Sequence, residues 1–342
     1  MKKIRVEDAV GQTLCHDMTA ILETGFKGVR FKRGHIVTEA DIPELKKIGK
    51  EHIFVWEPEA DEVHEEDAAI ALSRAMCGEN LRQSAPSEGK ISVTAGEDGL
   101  FCINSAALRA INGVPDYTVA AIPNFMPVKA GDKLAGARIV PLVTKRENVD
   151  AAVRIAEQNY PVLSIRPFRK LKAGIVITGS EVYYGRITDA FEPILTKKLE
   201  HYGAEKLGCE KCPDDADMII AAIKKFVGLG AELILLTGGM SVDPDDVTPT
   251  AIRATGARVA VSGVPMQPGN MLNIAYLGET VLVGVPGASM HSAVTSLEVF
   301  LPRIFAGVEI RQEEIAGYGE GGLCMGCEVC TFPKCGFGVG RG

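Results

Sequence analysis

The feature that most constrains this chain is a change of texture at Leu171. Beyond it, continuously apolar runs such as Ala173-Gly-Ile-Val-Ile-Thr-Gly, Glu232-Leu-Ile-Leu-Leu and Val281-Leu-Val-Gly-Val alternate with amphipathic stretches. A strand that is apolar at every position is buried on both faces, which is the condition of a parallel sheet covered by helices. The intervening stretches supply those helices. Phe191, Ile194, Leu195, Leu199 and Tyr202 share one face of a helix over 189–202, and Met218, Ile219, Ala222, Ile223 and Phe226 share one face of a helix over 214–226. A short helix after Thr248-Pro249 and another over 291–305 complete the pattern. The expected fold class is α/β, a doubly wound, mostly parallel sheet, preceded by a β-rich N-terminal region.

The first 170 residues carry a different signal. Helices are expected over 39–48, 65–76, 105–111 and 148–158, and Phe54-Val55-Trp56 reads as a strand. Between Ile91 and Pro141, short alternating apolar runs broken by glycine and proline predict β structure. The acidic stretch from Glu57 to Asp67 reads as a solvated linker and the first turn of a helix. Four segments follow: a β-rich segment over 1–60, a mixed α+β region over 61–170, the α/β domain over 171–310, and a cysteine-rich tail over 311–342.

Charge narrows the function classes. Thirty-seven basic against 44 acidic residues leave a net charge of −7, which speaks against a nucleic-acid partner. No apolar run approaches the ~18–20 residues that span a bilayer, so no membrane role is expected. The opening MKKIRVEDAV meets acidic residues before an apolar core can form, unlike a secretory signal, and a cytoplasmic protein is expected.

In doubly wound sheets, ligands bind beyond the carboxyl ends of the strands. There the sequence places Thr178-Gly179-Ser180-Glu181, then Thr237-Gly238-Gly239 running on through Ser241, Asp243, Asp245 and Asp246, then Pro268-Gly269-Asn270, and finally Pro286-Gly287 with Ser289. Small and hydroxylated residues let backbone N–H groups approach a phosphate. Carboxylates beside them offer Mg²⁺ the one or two oxygen ligands it takes from protein. Each element also has a purely structural reading: Asp189 with Glu192 as a capping pair, Asp214 as a helix cap, Thr248-Pro249 as N-cap and first helical residue. Convergence of all four exits on one sheet edge favours a phosphorylated ligand bound with Mg²⁺.

The segment TGGMSVDPDDVTPTAI at 237–252, with ITGSEV at 177–182, GRITDAF at 185–191, PGNML at 268–272 and VPGASMHSA at 285–293, resembles the molybdopterin-binding domain. That domain is shared by molybdopterin adenylyltransferases and molybdopterin molybdenumtransferases, the molybdate insertases. VEDAVGQTLCHDMT at 6–19 and DKLAGARIVPLV at 132–143 extend the likeness to the insertases, over about 1–306. The resemblance implies a Rossmann-like domain, a homo-oligomer, and transfer of molybdenum from molybdate to molybdopterin with Mg²⁺. It implies catalytic roles for Asp246, also the Mg²⁺ ligand, and for Glu181. It implies molybdopterin contacts from Thr178, Gly179, Ser180, Asp214, Thr237, Gly238, Gly239, Ser241, Asp243, Pro268, Gly269, Asn270, Pro286, Gly287 and Ser289. The chain departs from the insertase where a K-P-G-K-P loop is replaced by Gln267-Pro268-Gly269-Asn270-Met271. Loss of both lysines raises a second reading, a non-catalytic molybdopterin carrier or chaperone that hands cofactor to a partner molybdoenzyme. Relatives in nicotinamide-nucleotide amidase proteins suggest a third, nucleotide chemistry.

Nine cysteines need explaining in a reducing compartment. Cys15, Cys77 and Cys102 read as small buried hydrophobes, and Cys209 with Cys212 as two partly buried thiols beside a strand end. Cys324, Cys327, Cys330 and Cys335 form a C-x2-C-x2-C-x4-C run that is no part of the insertase pattern. Four thiolates within twelve residues can surround one metal centre; the run differs from the ferredoxin run by one spacer and by its proline, and a [4Fe–4S] cluster is expected ahead of Zn²⁺, with an unliganded thiol tail as the remaining reading. The tail is expected to add this function without being needed for the fold.

Overall fold

The computed structural model describes residues 2–21, 25, 27–55, 60–239 and 247–340. They divide into two compact units, one of residues up to 97, 101–122 and 128–165, the other of 98–100, 123–127 and 166 onward.

The first unit is α+β. A four-stranded antiparallel sheet runs in the order Leu81–Gln83, Ile91–Ala95, Lys133–Ile139, Tyr117–Ala121. In Ile91–Ala95, burial alternates: Ile91, Val93 and Ala95 enter the core, the period-two pattern of a strand with one face covered. The helix Glu65–Met76 covers it with Ala68, Leu72 and Met76, four residues apart and fully buried. Helices form at Asp41–Lys47, Ser105–Asn112 and Arg146–Gln158, close to their expected spans. The expected strand is seen at His52–Val55; Trp56 lies outside the described residues.

The second unit is the α/β domain. Its strands are β1 (Lys172–Thr178), β2 (Glu205–Cys212), β3 (Leu233–Thr237), β4 (Arg258–Ser262), β5 (Asn273–Leu277) and β6 (Thr280–Gly284). Helices α1 (Ser180–Tyr183), α2 (Phe191–His201), α3 (Ala216–Gly228), α4 (Thr248–Ala254) and α5 (Ser296–Phe305) connect and follow them. The strand order is β2-β1-β3-β6-β5-β4. β2, β1, β3 and β6 are parallel, and the continuously apolar β1 and β3 lie at their centre, buried from Ala173 to Thr178 and from Leu233 to Thr237. One core packs on each face of this sheet: Ile175, Ile177, Leu235 and Val283 on one side, Val176, Ile234, Leu236 and Leu282 on the other.

The α/β class is as the alternation of apolar runs and helices requires, with a mixed rather than uniformly parallel sheet. β5 runs antiparallel to both β4 and β6. β2, β4 and β5 were not anticipated, and β2 shows why: its sequence EKLGCEKC buries only Cys212 fully, as befits an edge strand. Residues 291–295 do not join α5. Thr295 and Glu298 form a capping box that starts the helix at Ser296.

The tail is built into this unit. Helix α5 is buried at every position except Glu298, because its outer side is covered by the chain beyond 310. Tyr318 and Phe337 are each only 6% exposed, and Phe300 meets Tyr318 with ring centroids 5.1 Å apart. The fit is close. A Cβ at Gly322 would lie 2.2 Å from the Pro265 carbonyl oxygen. The expectation of a tail unneeded for the fold is therefore corrected: the core of the α/β unit includes it.

Candidate functional site

β1 leads through α2 to β2 on one side, whereas β3 leads toward β4 on the other. Their carboxyl ends therefore flank the topological switch point, where open α/β sheets leave a crevice for ligands. Three buried threonines hold this point together. The Thr178 hydroxyl donates to the Thr237 carbonyl at 2.7 Å and lies 3.1 Å from the Thr248 hydroxyl. Gly238 then turns in the left-handed region at φ +82°, so close to β1 that a Cβ would sit 2.0 Å from the Thr178 carbonyl oxygen. The Thr237 hydroxyl is the exception in this network. It is fully buried and has no hydrogen-bond partner among the described residues. Such an orphan costs about 1–3 kcal/mol.

Gly179 leaves β1 with its N–H bonded to the Cys212 carbonyl, and the Glu181 carboxylate folds over it, 2.8 Å from where a Cβ would be. Asp214 comes in from the end of β2. Its carboxylate accepts the Ser180 N–H at 2.9 Å, and its own N–H donates to the Ser180 hydroxyl at 3.4 Å. Thus Ser180 and Asp214 are committed to each other. The helix cap expected of Asp214 belongs to Asp215, whose carboxylate accepts the Met218 N–H. Asp189 does cap, accepting from the Phe191 and Glu192 N–H groups.

The remaining exits lie on the same edge. The first residue of β5 is paired with the end of β6, Asn273 opposite Gly284, so the 263–272 loop that enters β5 and the Pro286-Gly287 turn that leaves β6 lie at one end of the sheet. Gly287 has open space around its Cα. Ser289 turns inward, 2% exposed, its hydroxyl 3.1 Å from that of Thr295. Pro268 and Gly269 are turned toward the first residue of α5. The Ser296 N–H donates to the Pro268 carbonyl at 3.2 Å and its hydroxyl to the Gly269 carbonyl at 2.6 Å. Gly269 is glycine because Ser296 leaves 2.5 Å for a Cβ. The N-terminus of α5 is thereby filled by backbone carbonyls and the capping box, and no anion is needed there. Asn270 is exposed on the outer side of the loop.

Thr178, Gly179, Ser180, Glu181, Asp214, Thr237, Gly238 and Gly239 are thus gathered at the switch point, with Pro286 and Gly287 one strand further on. Ser241, Asp243 and Asp246 lie outside the described residues. Thr248 and Ser296 were missed as organising residues; Thr248 was visible beside a proline, but its bond to Thr178 spans 70 residues.

The cysteines divide by environment, and no disulfide occurs among the described residues. Cys209 and Cys212 are three apart on one strand, which turns them to opposite faces: Cys212 joins one core and Cys209 packs against the other. Burial, with Glu192 beside it, pushes the Cys209 thiol up to about 12, and burial alone does the same to Cys77. These are inert thiols. The tail cysteines do not converge on an ion site: among the described residues no three His, Cys, Asp or Glu side chains are placed to hold a metal. All four nevertheless line one cavity of about 500 Å³.

Residues 174–306 match the family described as "Probable molybdopterin binding domain", and residues 3–57 match a domain family of unknown function. The molybdopterin molybdenumtransferase of Synechococcus elongatus is 30% identical over 176 residues, 48% of this chain and 41% of that protein. That of Staphylococcus aureus strain COL is 25% identical over 149 residues, 42% of this chain and 35% of that protein. A CinA-like protein of Mycolicibacterium vanbaalenii is 38% identical over 77 residues, 22% of this chain and 18% of that protein. The chain therefore matches less than half the length of these curated relatives. Among solved structures, the molybdopterin biosynthesis enzyme MoaB of Thermus thermophilus is 19% identical, covering 41% of this chain and 99% of that one with a TM-score of 0.35. No helix among the described residues is long and apolar enough to cross a membrane.

Proposed function

We propose that this chain, whose residues 174–306 are a domain of the molybdopterin-binding family resembling that of the molybdopterin molybdenumtransferases, binds molybdopterin or its adenylylated form at the β1/β3 switch point and promotes molybdate insertion. The observation that carries the reading is the gathering of the Thr178–Glu181 and Thr237–Gly239 turns there, around a buried hydroxyl with no partner among the described residues. In this reading the pterin is the substrate and molybdate the second reactant. Glu181, exposed at the edge of the crevice, assists Mg²⁺ held by Asp246; the assignment of Asp246 rests on sequence resemblance. Mg²⁺ would neutralise charge developing on phosphate or oxyanion. The same resemblance supports self-association, read by light scattering as a mass at least twice that of the chain.

The carrier reading has one observation in its favour. Gln267 and Asn270 stand where the insertase pattern has lysines, and the carbonyls of Pro268 and Gly269 between them are bonded to α5. Two substitutions separate the readings. Thr237→Val removes the orphaned hydroxyl, so the free protein should gain about 1 kcal/mol while pterin affinity falls up to about tenfold. Thermal unfolding and pterin titration measure the two effects; unchanged affinity would move the ligand away from the switch point. Asp246→Asn should lower molybdate insertion about a hundredfold or more while sparing pterin binding. Insertion undiminished in this variant would remove the catalytic assignment, and pterin binding without insertion even in the wild type would select the carrier.

A further inference from the structure

We propose that Cys324, Cys327, Cys330 and Cys335 jointly hold one [4Fe–4S] cluster in the cavity they line, beside the 263–272 loop. This assignment is independent of the pterin reading. Three observations carry it.

First, the two outer cysteines pack against the core and the two inner ones are exposed. Residues 323 and 267 form a bridge between parallel segments: the Gln267 N–H donates to the Gly322 carbonyl at 2.7 Å, and the Cys324 N–H donates to the Gln267 carbonyl at 2.8 Å. Cys324 and Cys335 both pack against the core of the α/β unit. Cys327 and Cys330 stand exposed between them, on chain without helix or strand. Both ends of the run are thus anchored at the cavity, and the stretch between them carries its two thiols on irregular chain.

Second, the cavity of about 500 Å³ is lined by four thiols and, among the described residues, by no carboxylate, histidine or lysine. Hard cations find no oxygen cage there, whereas soft thiolate ligation selects iron–sulfur clusters or zinc. The backbone of Gly321, Gly326 and Gly336 also lines it, and N–H groups near cluster sulfurs are the donors that tune such centres.

Third, the spacing favours the cluster over zinc. Structural zinc sites pair separated C-x2-C units, whereas three cysteines in C-x2-C-x2-C match the iron–sulfur run. The fourth ligand of the ferredoxin run serves a second cluster; with one run in this chain, Cys335 closes the same centre. Among the described residues the four thiols do not converge as a ligand set, so cluster binding requires Cys327 and Cys330 to move in towards the outer pair.

The test is anaerobic reconstitution of the full-length chain with ferrous iron, sulfide and a thiol reductant, followed by desalting. About four irons and four sulfides per chain, with broad visible absorption that bleaches on reduction by dithionite, are expected. Cys327→Ser combined with Cys330→Ser should reduce bound iron to below about one per chain. Because both side chains are exposed, this double variant should keep the wild-type thermal transition before reconstitution, so a loss of iron cannot be blamed on unfolding. Stoichiometric zinc in the protein as purified, with no iron taken up, would overturn the cluster. So would a double variant that retains full iron, or a wild type that binds no metal.

Discussion

Gly238→Ala should cost about 3–5 kcal/mol of stability, the largest effect of any single methyl group at the sheet edge. Two penalties combine. An L-residue at φ +82° gives up roughly 1–2 kcal/mol to the clash between its Cβ and its own backbone. The new Cβ would also lie 2.0 Å from the Thr178 carbonyl oxygen and 2.6 Å from the Thr178 hydroxyl. Neither can retreat cheaply, because Thr178 ends the central strand and its hydroxyl is tied to Thr237 and Thr248. At about 2–4 °C per kcal/mol for a domain of this size, the melting temperature should fall by roughly 6–20 °C. Gly287→Ala is the matched control: no atom lies within 4 Å of its Cβ and its φ is not positive, so the change should stay within about 0.5 kcal/mol. Equal melting of both variants would show that the strand-end turn tolerates a side chain, and the ligand crevice would lose its geometric basis.

Arg303→Ala should be comparably damaging, for an electrostatic reason. Arg303 is 1% exposed on α5, its guanidinium donating to the Tyr318 hydroxyl at 3.2 Å, the Glu309 carbonyl at 2.7 Å and Glu314 at 2.9 Å. It also lies 4.1 Å from the centre of the Phe125 ring. Truncation strands a buried hydroxyl and a carbonyl and opens a void, which together typically cost about 3–5 kcal/mol. Arg303→Lys should recover little, because one ammonium cannot reproduce a fork that reaches three acceptors. Urea unfolding of the two variants measures this. A lysine variant as stable as wild type would mean that charge alone, not the planar fork, holds the segment.

The lysine-for-arginine comparison also shows where sequence reading reached its limit. Arg303 sits in a helix whose apolar residues are plain in the sequence, yet nothing local indicates that it is buried; its partners come from 309–318, on chain that reads as a surface tail. The central strands β1 and β3 were legible because burial on both faces leaves an unbroken apolar run. β2 and β4 were not, because an edge strand needs only partial burial and EKLGCEKC has the composition of a loop. The start of α5 was legible in principle: Thr295 and Glu298 at capping-box spacing mark it, but the apolar residues around Val294 blur the boundary. At the site, the glycine turns were readable as residue types, whereas their division of labour was not. Gly238 serves approach to β1 and Gly269 serves approach to Ser296, and only the packing distinguishes a turn that faces ligand from one that faces a helix.

The tail's enclosure of α5 has a consequence for where this molecule can be cut. The family match runs over residues 174–306, but Ile310, Ile315, Tyr318 and Phe337 belong to the same core as Ile175 and Leu235. A fragment trimmed to the homologous span would bare one side of an apolar helix and strip Gln267 of its strand-like partner at Leu323. The chain beyond 310 thus acts as a retaining wall, and amides on both sides of it, in α5 and in the wall itself, should share one opening reaction, read as equal protection in hydrogen exchange.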